Sequence, residues 1–328
     1  MLVSAAPLVA QNGTSDTVLH TTSRLVIVPA LVQNSTQEIF YSLHANDFLL
    51  WDKGIPQKVT LDETSNQPLS LVVLMQTGGA AVREFDKYIS LETMLAAMLG
   101  NAPNQVAIVN FDSKPEAASP FTSDIAQWTD AINHPDPGDS GAAINDALKF
   151  ALNLLAQQPA NHRRVILLIS QPQDAGSKTT AKEITRITGE TNTTIYSLTF
   201  TPQMTRLKDA LKEPAHSNAP LNVGNGSYVA YFNLAEPLNM LLDAMRKDVS
   251  TEVAALSGGE AIRFGSRNEL DASVARIGNH IRNRYTLSFR PSAPDPGFHP
   301  IRVSLIGYPS LTVTARNSYW LSVQDEQK

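Results

Sequence analysis

The sequence predicts an α/β fold: a doubly wound, mostly parallel sheet of Rossmann-like type, inserted in a β-sandwich formed by N- and C-terminal strands. Three observations predict it. Leu69–Gln76 (LSLVVLMQ), Gln105–Phe111 and Val165–Ser170 are short apolar runs of the kind expected for strands buried on both faces. Segments with helical spacing of apolar residues separate them, which implies βαβ units and parallel pairing. Short β-like runs broken by turn residues flank this middle region on both sides.

In chain order, residues 1–20 are small or polar and are expected to be mobile. Arg24–Gln33 is a β-branched run. Ile39–Leu43, Phe48–Trp51 and Gln57–Leu61 follow as strands, separated by turn signals at Gln33-Asn34-Ser35, His44–Asp47 and Asp52-Lys53-Gly54. After Leu69–Gln76, residues 80–99 carry Val82, Phe85, Tyr88, Ile89, Met94, Leu95 and Met98 at helical spacing, ended by Gly100 and Pro103. A short helix over 124–133 and a strong one over Gly141–Gln157 come next. After the strand at Val165–Ser170 come a helix over Thr179–Gly189 and a strand over Thr194–Phe200.

Residues 201–232 are rich in Pro, Gly, Asn and Ser and read as a long irregular loop. A helix over 235–256 is capped by Ser257-Gly258-Gly259. A short edge strand at 260–264 and a helix over Asn268–Ile281 follow. Tyr285–Arg290, Ile301–Ile306 and Leu311–Thr314 close the chain as strands. The expected organisation is a signal-peptide remnant or flexible N-terminus (1–20), an N-terminal β part (21–62), an α/β domain (66–282) and a C-terminal β part (283–325). The two β parts supply each other's missing edges.

Composition removes several function classes. The chain has 328 residues, 42% hydrophobic and 17% charged, so it carries enough apolar material for a packed core. A net charge of −5 and the lack of a basic run argue against nucleic acid as a partner. There is no cysteine, which removes disulfides, thiolate nucleophiles and sulfur-ligated zinc. No apolar stretch reaches the roughly 18–20 residues of a transmembrane helix. Met1–Gln11 (MLVSAAPLVAQ) resembles the back half of a secretory signal peptide with cleavage after Ala10, so the expected location is secreted, extracellular or periplasmic.

Three segments carry a resemblance. The strand–loop Leu71–Ala80 (LVVLMQTGGA), the helix start Gly141–Leu148 (GAAINDAL) and the strand end Val165–Ser177 (VILLISQPQDAGS) fall in the order and spacing of a von Willebrand factor A-type (VWA) domain. The flanks look like the VWA-related family abundant in acidobacteria. The segments that carry this are Ala45–Phe48 with Asp52–Lys58, Leu256–Glu260, Arg282–Leu287, Phe298–Val303 and Ala315–Tyr319. The resemblance covers residues 17–320. It implies a divalent-cation site at the C-terminal edge of the sheet, held by an Asp-x-Ser-x-Ser loop, a Thr from a second loop and an Asp after a later strand, with one position open to a partner's carboxylate.

This sequence departs from that pattern at each of the five positions. The Asp of the first loop falls on Gln76, its two Ser on Gly78 and Ala80, the Thr on Ala142 and the later Asp on Gln171. The expectation is a degenerate site with no metal and no other cofactor. Thr77, Asp112, Asp139 and Asp174 are placed near the same rim.

Other motifs have plainer readings. Gly138-Asp139-Ser140-Gly141 copies a serine-protease nucleophile loop, but it opens a helix, where Asp139 or Ser140 serves as N-cap. Seven scattered histidines form no metal motif and read as surface or turn residues. Ser257-Gly258-Gly259 lacks the Lys-Ser/Thr of a phosphate loop. Asn12, Asn34, Asn192 and Asn225 begin Asn-x-Ser/Thr triplets, which carry no meaning in a bacterial protein.

The expected function is a non-catalytic secreted or surface protein-binding module for adhesion or assembly. Its partner is another protein, and its contact rim consists of Gln76, Thr77, Gly78, Gly79, Asp139, Ser140, Gln171, Gln173 and Asp174. The alternative is a self-assembling structural protein that associates through β edges. A hydrolase using Ser140 or scattered carboxylates is the third reading.

Overall fold

The computed structural model describes residues 25–62, 67–99, 104–200, 235–293 and 295–322. The expected mobile N-terminus at 1–20 and the whole of the loop expected at 201–232 lie outside the described residues.

The N-terminal part forms strands β1 (Val26–Gln33), β2 (Phe48–Asp52), β3 (Ile55–Gln57) and β4 (Thr60–Asp62). Lys53 and Gly54 link β2 to β3 with φ of 48° and 82°, the left-handed pair that a two-residue hairpin turn requires. The middle part begins with β5 (Leu69–Gln76), α1 (Leu91–Leu99), β6 (Gln105–Phe111) and β7 (Pro115–Thr122). It continues through α2 (Ile125–Asn133), α3 (Ile144–Ala156), β8 (Arg163–Ser170), α4 (Ala181–Glu190) and β9 (Thr193–Thr199). It ends with α5 (Ala235–Lys247), α6 (Val249–Ser257), β10 (Ala261–Arg263) and α7 (Arg267–Arg282). The C-terminal part adds β11 (Tyr285–Phe289), β12 (Gly297–Leu305), β13 (Thr312–Ala315) and β14 (Ser318–Leu321).

The middle part is a mixed α/β unit around one six-stranded sheet, ordered β10-β9-β8-β5-β6-β7. All pairings are parallel except β6 with β7 at one edge. All eight residues of β5 are buried, as a central strand covered on both faces must be. Strand alternation divides them. Leu71, Val73 and Met75 join a core with α1, α2 and α7, whereas Val72 and Leu74 join a second core with α3, α4 and α6.

The chain ends form two further four-stranded sheets, ordered β13-β1-β11-β4 and β14-β12-β2-β3. Each combines strands from both ends of the sequence, and pairing within them is antiparallel. One apolar cluster, including Val28, Leu50, Leu287, Ile301 and Tyr319, draws on both sheets. These sheets dock on the α/β unit through a close contact. A Cβ added to Gly189 on α4 would lie 2.8 Å from Trp320 of β14. Beside it, the buried Arg316 donates to the carbonyls of Gly189, Thr191, Ile27 and Ser318.

Several local expectations change. The segment expected as one strand at Gln57–Leu61 divides into β3 and β4, which belong to different sheets. Ile39–Leu43 forms only a bridge between Ile39 and Gln33. The helix expected over 80–99 is a 3-10 segment at Gly79–Lys87 followed by α1. The helix expected over 235–256 breaks at Asp248, whose side chain accepts from Thr251 N–H and caps α6. Strands β7 and β14 were not anticipated.

Candidate functional site

The parallel strands β5, β6 and β8 end at one edge of the sheet, and three loops converge there: 76–80, 112–114 and 171–177, with 138–142 closing the ring. The apolar runs that build the strands stop at polar residues, so Gln76 and Gln171 emerge side by side. Gln171 N–H donates to Gln76 Oε1 at 2.9 Å. Gln76 Nε2 donates to Gly78 O at 3.0 Å and to Gln171 Oε1 at 3.3 Å. Gln171 Nε2 donates to Gln173 O at 2.9 Å. The partners fix the orientation of the Gln76 amide, because a backbone N–H only donates and a carbonyl only accepts.

The neighbouring carboxylates are turned onto loop N–H groups. Asp112 accepts from the N–H of Lys114 at 2.9 Å and of Asp139 at 3.0 Å. Asp139 accepts from Ser113 N–H (3.1 Å), Ser113 Oγ (2.5 Å) and Gly141 N–H (2.7 Å). The Ser113 hydroxyl, and then the Gly141 N–H, hold the Asp139 carboxyl below its usual value. Asp174 accepts from Asn145 N–H and from the Ser177 hydroxyl. Burial works against ionisation of Asp146, but hydrogen bonds from Thr179 and Lys178 outweigh it and its carboxyl also stays below the usual range.

Backbone contacts lock the loops together. Gly79 N–H donates to Asp139 O at 2.7 Å and Gly138 N–H to Thr77 O at 3.0 Å. Ala142 and Ala175 exchange a pair of backbone hydrogen bonds at 3.1 and 2.8 Å. Gly78 sits so close to this loop that an added Cβ would lie 2.5 Å from Gly141 O and 2.6 Å from Asp139 O.

A divalent cation at the Gln76–Gln171 position would meet two neutral amide oxygens that already accept hydrogen bonds. The nearby carboxylates are engaged elsewhere. Hard cations favour charged oxygen ligands, so these residues do not fit one. Among the described residues no group of three or more His, Cys, Asp or Glu is arranged to hold a metal ion.

A groove of about 790 Å³ opens beside the rim, between the β6–β7 turn, the second half of α2 and the 134–139 loop. Asp112, Glu116, Asp130, Asp136 and Asp139 line it against a single lysine, Lys114.

Of the nine rim residues expected from sequence, Gln76, Thr77 and Gly78 are buried. Gly79, Asp139, Ser140 and Gln173 are exposed, and Gln171 and Asp174 are half-buried. Neither Asp139 nor Ser140 caps α3. Its N-cap is Ala143, and Asp139 instead braces the loop. Among the described residues no hydrogen bond joins Ser140 Oγ to a histidine. Ser113, the main brace on Asp139, was missed. The signal was its place just beyond the apolar run that ends at Phe111.

Two histidines expected at the surface are buried. His299 is fully buried, with Nδ1 3.0 Å from Asp52 Oδ1 and Nε2 2.6 Å from Asp295 O, and Tyr319 OH donates to Asp52 Oδ2 at 2.5 Å. His280 Nδ1 lies 2.7 Å from Glu260 Oε2. Both bind carboxylates far away in sequence, which a local reading does not reveal.

Residues 73–174, which span the rim from β5 to Asp174, match the family model of the von Willebrand factor type A domain. The chain carries a VWA domain. No curated protein matches it significantly. Among solved structures, the VWA-bearing chain is similar to an aerotolerance-related membrane protein from Bacteroides fragilis at 16% identity, covering 64% of this chain and 98% of that one, with a TM-score of 0.43. It is similar to proximal thread matrix protein 1 from the mussel byssus, described with a zinc-occupied MIDAS motif, at 12% identity over 71% of this chain and 50% of that one, TM-score 0.45. The vWF domain of the type V pili tip protein Mfa5 from Porphyromonas gingivalis is similar at 22% identity over 33% of this chain and 39% of that one, TM-score 0.29.

Proposed function

We propose that the chain is a non-catalytic protein-binding module whose VWA rim works without a metal ion. The observation that carries this reading is the Gln76–Gln171 amide pair, a neutral contact at the position where the family resemblance implies a cation. The contact surface in this reading is the exposed part of the rim, Gly79, Asp139, Ser140 and Gln173, together with the groove beside it. Asp139 stays ionised at neutral pH, and the groove's carboxylates outnumber its lysine, which favours a partner segment bearing Lys or Arg.

The two terminal sheets are read as one β-sandwich that carries the VWA domain as an insertion, with the divisions 21–62, 66–282 and 283–325. No helix among the described residues is long and apolar enough to cross a membrane. The apolar stretch Met1–Gln11 supports a location outside the cytoplasm.

The test is capture of a protein partner from the extracellular fraction by the full chain, with and without EDTA. The reading expects capture that is unaffected by EDTA, weakened by added salt and lost in the Ser140→Arg, Gln173→Arg double variant. Loss with EDTA, or full capture by the double variant, contradicts it. Multimers on sizing that survive the double variant would favour self-assembly through β edges.

A further inference from the structure

We propose that the VWA rim is closed, not merely short of ligands: loop 138–141 and the Gln76–Gln171 pair occupy the position of the cation, so that returning the missing carboxylates does not create a metal site. This rests on the metal-independent reading above and adds to it, since a site that lacks ligands and a site that lacks room make different predictions.

The first support is the glycine packing. Three glycines at the rim face backbone or Cβ atoms at distances that no side chain tolerates. An added Cβ on Gly78 would meet Gly141 O at 2.5 Å, Asp139 O at 2.6 Å and Asp112 Cβ at 2.7 Å. One on Gly138 would meet Asp112 Cβ and Oδ2, both at 2.7 Å. One on Gly141 would meet Ser113 N at 2.6 Å and its Cα at 2.7 Å. Most of these are backbone atoms, which do not rotate away as the end of a flexible side chain does. The loops at 77–79, 112–113 and 138–141 therefore touch main chain to main chain, and a serine at position 78 has no place to put its Cβ.

The second support is the hydrogen bonding across the same junction. Gly79 N–H to Asp139 O and Gly138 N–H to Thr77 O tie loop 138–141 to the first loop. Asp139 ties it to Ser113, and Ala142 ties its far end to Ala175. These bonds do not require an ion.

The experiment uses the full chain and thermal unfolding in EDTA or in millimolar Mg²⁺ or Mn²⁺. Gly78→Ala probes closure without touching any ligand position's charge. It is expected to lower the Tm by about 5 °C or more through overpacking against the loop. The Gln76→Asp, Gln171→Asp double variant is expected to melt well below the parent in EDTA, with Mg²⁺ or Mn²⁺ restoring none of the loss. A Gly78→Ala variant as stable as the parent would overturn the proposal, because the loop would then not be closed on Gly78. So would recovery of the double variant's Tm on adding Mg²⁺ or Mn²⁺. If the double variant fails to fold, Gly78→Ala alone decides. A cation effect on the unmodified chain would contradict metal-independent function instead, so the two readings fail separately.

Discussion

Gln76 and Gln171, 95 residues apart in sequence, join their side-chain amides across the ends of β5 and β8, with Gln171 N–H completing the contact to Gln76 Oε1. The pair satisfies its own polar groups with neutral atoms. A carboxylate in either place would need an ion or a proton to balance it. Gln76→Met keeps the length of the side chain and removes all three hydrogen bonds it makes, leaving Gln171 N–H without its acceptor. We expect a loss of about 1–3 kcal/mol in denaturant unfolding. A change within experimental error would mean that the pair does not hold the rim.

Arg316 joins the terminal sheets to the α/β unit. It is buried, its hydrogen bonds go to four carbonyls, and burial lowers its pKa to about 10, so it remains charged at neutral pH. Lysine is a point donor and does not reproduce the planar fork. Arg316→Lys is expected to cost about 2–4 kcal/mol, read by urea unfolding. Two separate unfolding transitions in this variant would identify the contact as the joint between the two parts.

Tyr319 supports Asp52 inside the β core. Burial raises the phenol's pKa, and the hydrogen bond to Asp52 raises it further, so it stays protonated and donates. Tyr319→Phe removes a donor to the buried Asp52 side chain and is expected to cost about 1–3 kcal/mol. Chemical unfolding at pH 7 checks this, and a neutral result would show that His299 alone satisfies the carboxylate.

Asp139 and Asp146 give the rim an acid limit. Both folded-state pKa values lie below the usual one, so the stability they contribute is present above an unfolded value of about 3.9 and is lost as pH falls through the folded value. The Tm difference between the parent and Asp146→Asn should be constant from pH 5 to 8 and shrink below about pH 4. A gap that widens in acid would reverse the sign of the coupling.

The apolar runs and helical spacing made the α/β unit legible, because β5, β6 and β8 carry continuous apolar runs that are largely buried in the sheet. The five departures from the family pattern are a reading of the sequence alone, and the amide pairing of Gln76 with Gln171 was not legible there, since it joins residues brought together only by the sheet. Strand β7 (PEAASPFT) has two prolines and no β-branched residue before Thr122, so its propensity gave no signal. It forms because it pairs antiparallel with β6 at the sheet edge, where proline is tolerated. His299 read as a turn residue because its partner, Asp52, lies 247 positions away.

The most direct test of the central claim is thermal unfolding of the unmodified chain in EDTA, Mg²⁺, Mn²⁺ and Ca²⁺. A ligand that binds only the folded state at a hundredfold excess over its Kd stabilises by about 2.7 kcal/mol, a shift of several degrees that is easily read. The account predicts the same Tm in all four conditions. A rise of several degrees with any of the cations would contradict it and return the rim to metal-dependent recognition.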